Sequence, residues 1–165
     1  MTRRGILAGP INAFPGKGKR YTVKKRRLTW WQVVLIIVVL FGLIQLIPFG
    51  KAHANPAVVN AAVWDNPQTA TMIRDACYDC HSNETVWPWY SNIAPVSWLN
   101  QVDVDEGRSR MNLSEWPTDK AVQQNLVNRM IRVIQNGQMP PFYYVWMHSN
   151  ASFTADQKAQ LIQDL

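Results

Sequence analysis

DACYDCHSNE, residues 75–84, holds both cysteines of the 165-residue chain and one of its three histidines. They run as Cys77-Tyr78-Asp79-Cys80-His81. Three chemistries use such a cluster: a zinc site, a redox-active dithiol, and covalent attachment of a porphyrin. Each goes with a different fold and compartment, so the flanking sequence has to choose.

A closed zinc site needs at least one ligand more than Cys77, Cys80 and His81. Only His53, His148 or an acid could supply it, and the second half of a finger is missing. A thioredoxin-like dithiol belongs in a βαβ unit, and no strand-like alternation appears anywhere in the chain. A Cys77–Cys80 disulfide leaves His81 without a role. Haem attachment uses every residue. Two thiols add to the two vinyl groups on one porphyrin edge, and the next residue, His81, falls under the ring as proximal iron ligand. Covalent attachment also suits a domain of about 110 residues, which is small to enclose a porphyrin by packing alone.

Working outward, Asn66-Pro67 is a helix start, with an N-cap residue followed by proline at the first helical position. Met72, Ile73 and Ala76 then recur at helical spacing into Cys77, so the motif closes a helix. A proline- and tryptophan-rich stretch over residues 87–117 reads as loops. Thr118-Asp119 opens the clearest helix, with Val122, Leu126, Met130, Val133 and Ile134 on one face. Asn136-Gly137 ends it and Pro140-Pro141 prevents its resumption. Thr154 and Gln157 form a capping box for a last short helix. The expected fold is all-α.

Upstream of the motif the charge is divided sharply. Residues 1–27 contain nine Lys or Arg and no acid, whereas from Ala52 onward seven basic residues face all eleven acids, a balance of −4. A basic tail on a mildly acidic domain does not point to nucleic acid. Between them TWWQVVLIIVVLFGLIQLIPFG, residues 29–50, contains a 20-residue apolar run, Trp30 to Phe49. As one helix it would rise about 30 Å, the thickness of a hydrocarbon core. Trp30-Trp31 would sit at the headgroup level, and Lys24-Lys25-Arg26-Arg27 would hold the N-terminus in the cytoplasm. A cleavable signal peptide competes, since AHA at residues 52–54 has the small-x-small form, but the apolar run is longer than usual. The expected organisation is a basic cytoplasmic tail (1–27), a transmembrane helix (28–50), a linker (51–66) and a c-type haem domain (67–165) on the periplasmic side of the inner membrane.

Iron in an electron-transfer centre needs a sixth ligand. Met111, Met130, Met139, Met147 and His148 are the candidates. Met130 reads as a core residue of its helix face. Met139, in NGQMPP, stands just past a helix end in a loop stiffened by two prolines, and is the favoured distal ligand; His148 is the next choice.

Three ordered blocks, CYDCHSNETVWPWYSNIAPVSWL, DVDEGRSRMNLSEW and NGQMPPFYY, resemble the small haem-binding domain family of membrane-anchored monohaem cytochromes c, over roughly residues 43–165. The resemblance implies one covalent haem c, thioethers at Cys77 and Cys80, and axial His81 and Met139. Trp87, Trp89, Tyr90 and Trp98 are candidates to wall the porphyrin, although core packing explains them equally well. Arg108 and Arg110 are candidates for a haem propionate or for ion pairs with Asp103, Asp105 or Glu106. Pro95 is a candidate carbonyl acceptor for the second ring nitrogen of His81.

The expected function is a membrane-anchored single-electron carrier on the extracytoplasmic face, a subunit of a larger respiratory or photosynthetic membrane complex. It would be no enzyme and take no small-molecule substrate. Two rival readings are an assembly subunit whose haem lies off the electron path, and a ligand-binding haem sensor or peroxidase with an open sixth position.

Overall fold

The computed structural model describes residues 27–165; the rest of the basic tail lies outside the described residues. These are all-helical, with six α-helices and no strand: α1 (Trp30–Ile44), α2 (Pro67–His81), α3 (Val96–Arg110), α4 (Lys120–Gln135), α5 (Phe142–Met147) and α6 (Ala155–Asp164). The caps read from sequence are in place. Asn66 Oδ1 accepts from the Gln68 N–H at 2.9 Å ahead of α2. Asp119 accepts from Ala121 and Val122 N–H ahead of α4. Gly137 turns the chain after α4 with φ +68°, a conformation that costs glycine nothing. Thr154 and Gln157 exchange hydrogen bonds at the start of α6.

The transmembrane expectation is corrected. The apolar run of 20 residues makes a helix of only 15, Trp30–Ile44, which rises about 22 Å against about 30 Å of hydrocarbon. Among the described residues no helix is long and apolar enough to cross a membrane. The physical cause lies at Gln45. Its side-chain Nε2 donates to Ala94 O at 2.9 Å, and its Oε1 accepts from Ala94 N–H at 2.9 Å. This paired amide fastens the end of α1 to the loop before α3, and Pro48 follows where a further turn would need an N–H. Single-pass anchoring in the inner membrane, with a cytoplasmic N-terminus and a periplasmic haem domain, is withdrawn with the span.

A second departure is α3, in a stretch read as loop. Val104 is the only large apolar residue that this helix buries; its other buried residues are Ser97 and Gly107. Such a helix carries no apolar stripe. It packs on α2 through close backbone approach instead, and a Cβ at Gly107 would overlap the Cys80 carbonyl.

Met72, Ile73 and Tyr78 of α2 form the core with Leu113, Met130 and Ile134 of the following segments and Leu161 of α6. The last helix is tied to the first turn of α2 by Asp164, whose carboxylate accepts from Asn66 Nδ2 at 2.8 Å and from the Thr69 hydroxyl. The expected linker lies along the domain in extended form. Asn60 N–H donates to Ser114 O at 3.0 Å, Ala62 N–H to Leu113 O at 2.7 Å, and Trp116 N–H to Asn60 O at 2.7 Å.

Gly107→Ala is expected to lower stability by about 1–3 kcal/mol, the usual range for overpacking a tight contact. A urea unfolding midpoint at or above that of the parent would show that α3 does not need this approach.

Candidate functional site

Helix α2 ends in the motif, and its final carbonyls have no partners within the helix. The residues after the motif and two distant segments supply them. Ser82 Oγ donates to Tyr78 O at 2.8 Å, and Thr85 Oγ1 to Asp79 O at 2.7 Å. Leu113 N–H donates to His81 O at 2.7 Å. Arg108 Nε donates to Ser82 O at 2.7 Å. Asn83, 3% exposed, joins the network by donating to Ala57 O and Glu115 Oε1 while accepting from Asn112 Nδ2, each at 2.9 Å. Ser82, Asn83, Thr85 and Ser114 are polar and buried, which burial permits only because each is hydrogen-bonded.

This network sets the imidazole of His81. Its Nδ1 lies 3.1 Å from Met111 O. A carbonyl can only accept, so Nδ1 carries the proton and Nε2 keeps its lone pair. Burial lowers the pKa of His81, outweighing the opposing pull of the Met111 and Gly107 carbonyls. The neutral ring is the form that ligates a metal.

A cavity of about 180 Å³ opens beside the ring, lined by Cys77, His81, Met111, Leu126, Met130, Val133 and Met139, among others. Besides Cys77 and His81 the wall is aliphatic and thioether, apart from Gln138 and two exposed arginines, Arg110 and Arg129. Met139 lines the cavity from the loop after α4, with its N–H donating to Val133 O at 3.2 Å. Its side chain keeps about a third of its accessible surface, whereas Met130 is buried in the core. The motif histidine, one cysteine and the loop methionine therefore share one apolar cavity.

Cys80 faces elsewhere. It lines a second cavity of about 340 Å³ with Trp87, Trp89, Tyr90, Tyr144 and His148. Tyr90 O–H lies 3.3 Å from His148 Nε2, and Tyr144 O–H donates to Asp79 Oδ2 at 2.8 Å. Desolvation pushes both thiols up to about 12. They are thus neutral, free thiols, unlike the depressed thiolates of redox motifs. Among the described residues no three His, Cys, Asp or Glu side chains group as metal ligands do, and Cys77, Cys80 and His81 are no exception.

Residues 39–165 match the family model of the haem-binding domain. The chain belongs to that family. No curated protein and no solved structure matches it. Haem is accordingly the group for which the haem-binding domain is built, and the donor set fits it: a neutral imidazole with a free Nε2, a thioether lining the same cavity and a largely apolar wall.

Other residues singled out in the sequence take different places in this haem-binding domain. Trp89 and Tyr90 line the larger cavity. Trp98 lines neither cavity, and its indole N–H is buried without a partner among the described residues. The Pro95 carbonyl accepts from Trp98 and Leu99 N–H in the first turn of α3; the acceptor for His81 is Met111 O. Arg110 pairs with Glu106 at 2.8 Å. Arg108 makes no ion pair among the described residues. Besides Ser82 O it donates to Ala54 O at 3.0 Å, Asn55 Oδ1 at 3.0 Å and Thr85 Oγ1 at 2.9 Å. Four of its five N–H groups are committed to holding the 54–55 and 82–85 segments on α3, so it is poorly placed to serve a propionate.

Sequence reasoning missed the Met111 carbonyl and Arg129. A backbone acceptor leaves no residue signature. Arg129 follows Leu126 by three residues on the cavity side of α4, where a single charge reads as the edge of a solvated face.

Arg108→Gln is expected to cost about 1–3 kcal/mol, because Ser82 O and its neighbours lose a charged donor. The visible spectrum of the haem-loaded protein should stay unchanged. A spectral change without loss of stability would return Arg108 to the haem edge.

Proposed function

We propose that the chain is a c-type haem protein that carries single electrons and makes or breaks no substrate bond. The observation that supports this best is the grouping of Cys77, His81 and Met139 around one apolar cavity, with Nε2 of His81 left free. In this reading the thiols of Cys77 and Cys80 each add across a vinyl double bond of one porphyrin. Sulfur takes one carbon and the thiol hydrogen the other, so no oxidant is consumed. Cys80 lies about 60° around the helix from Cys77, and attachment at both thiols requires its side chain to turn from the larger cavity toward Cys77.

His81 through Nε2 and Met139 through its sulfur would hold the haem iron, while Met111 O fixes the tautomer and orientation of the imidazole. Bound haem supplies a one-electron Fe(III)/Fe(II) couple, and Met/His ligation raises its potential. Leu126, Met130, Val133 and Ile134 keep water from the site. With both donors on the iron no place would remain for a substrate, and the partners would be other redox proteins of a larger assembly.

Haem is expected to stay with the polypeptide through acid-acetone extraction and denaturing electrophoresis; extractable haem would refute thioether attachment. Met139→Ala should leave the protein haem-loaded but abolish the far-red sulfur-to-iron band of the oxidised form, lower the midpoint potential, and let the reduced form bind carbon monoxide. Met130→Ala, deleting a core residue that is 5% exposed, should instead cost about 2–5 kcal/mol and keep that band. Exchange of the two phenotypes would move the distal ligand to Met130. A parent protein that already binds carbon monoxide would favour the ligand-sensing reading.

A further inference from the structure

The 180 Å³ cavity between His81 and Met139 is smaller than the roughly 300–1,000 Å³ of sites that enclose their ligands. A macrocycle gripped there cannot be fully enclosed, so its periphery must reach the rim. That rim carries two cations, Arg110 at the end of α3 and Arg129 in the middle of α4, and no residue lining the cavity is acidic. Both side chains are exposed. Arg129 makes no hydrogen bond or ion pair among the described residues, and residues 1–26 contain no acid that could pair with it. Arg110 makes one bond, to Glu106, which leaves most of its donors free. Two guanidinium groups on the rim of an otherwise apolar cavity call for an anionic ligand edge, and their planar forks match carboxylates.

We propose that Arg129, with Arg110, forms a clamp for the two propionate carboxylates of the bound haem. This rests on the haem reading of the same cavity. Arg108, the other arginine that the sequence offered for a propionate, is excluded from the role by its existing bonds. The clamp has an electrostatic consequence. A guanidinium beside a propionate offsets its negative charge, which otherwise favours Fe(III), so loss of the arginine lowers the midpoint potential while the axial ligands stay in place.

The test is potentiometric titration of the purified, haem-loaded full chain, with the far-red sulfur-to-iron band recorded on the same samples. Arg132, one turn further along α4 and outside the cavity lining, provides a control of equal charge change. Arg129→Gln should lower the midpoint potential and keep the band, and adding Arg110→Gln should lower it further. Arg129→Lys should restore part of the loss, and Arg132→Gln should shift the potential much less. Equal shifts for Arg129→Gln and Arg132→Gln would mean general surface charge and would overturn the clamp, as would no shift at all. If Arg129→Gln abolishes haem loading, retention of haem at near-parent potential by Arg129→Lys supports the clamp, and loss in both variants overturns it. A parent protein purified without haem refutes the underlying reading instead, which separates the two failures.

Discussion

The hydrogen-bonding demand of one helix end organises this domain. At the C-terminus of α2, Tyr78, Asp79, His81 and Ser82 present carbonyls that the helix cannot satisfy, and leaving such a group buried and unpaired costs about 1–3 kcal/mol. Ser82, Thr85, Leu113 and Arg108 answer them one by one. Those donors come from three separate stretches of chain. Meeting the demand therefore brings α3 and the 111–116 segment onto the same few residues, and Arg108 and Asn83 in turn hold Ala54, Asn55 and Ala57 against them. The same convergence delivers Met111 O to Nδ1 of His81. The orientation of the metal-binding ring is thus a by-product of closing the helix.

This explains why the three sequence blocks resembling a haem domain are the ones they are. Cys77, Cys80 and His81 carry the chemistry, but Ser82, Asn83 and Thr85 after them, Gly107 and Arg108, and Asn112 and Ser114 are caps, close approaches and buried links in the support. Gly107 lets the α3 backbone lie against Cys80. Asn83 joins segments 26 to 32 residues away in either direction. A signature that looks like a binding motif is, for most of its length, the scaffold of one.

Legibility followed from the kind of signal each element carries. The starts of α2, α4 and α6 were readable because Asn66, Asp119 and Thr154 cap by local hydrogen bonds written in adjacent residues. The α4 face was readable because Met130 and Ile134 recur at helical spacing. Helix α3 was not, since contact through Ser97 and Gly107 leaves no periodic apolar residue to detect. The length of α1 was misjudged for a related reason. Hydropathy sums over Trp30 to Phe49 without knowing that the Gln45 amide is committed to Ala94, 49 residues away. At the site, Cys77, His81 and Met139 line one cavity. Cys80 was turned toward the aromatic cavity, and Arg108 was spent on structure.

The position of Met139 depends on anchors in both α4 and α2. The methionine stands in a loop between α4 and α5, and loops hold a side chain only as well as their ends are anchored. On the α4 side, Gly137 turns the chain and the Gln138 and Met139 N–H groups both donate to Val133 O, at 2.9 and 3.2 Å. On the α5 side, Tyr144 O–H donates to Asp79 Oδ2 at 2.8 Å and lies 3.2 Å from Asp75 O. Burial and the neighbouring Asp79 carboxylate both hold this phenol firmly protonated, so it remains a donor throughout the ordinary pH range. Asp75 and Asp79 belong to the same two turns of α2 as Cys77 and His81. The Met139 loop is consequently held at one end by Val133 of α4 and at the other by α2, and the position of the thioether depends on both anchors rather than on the loop alone.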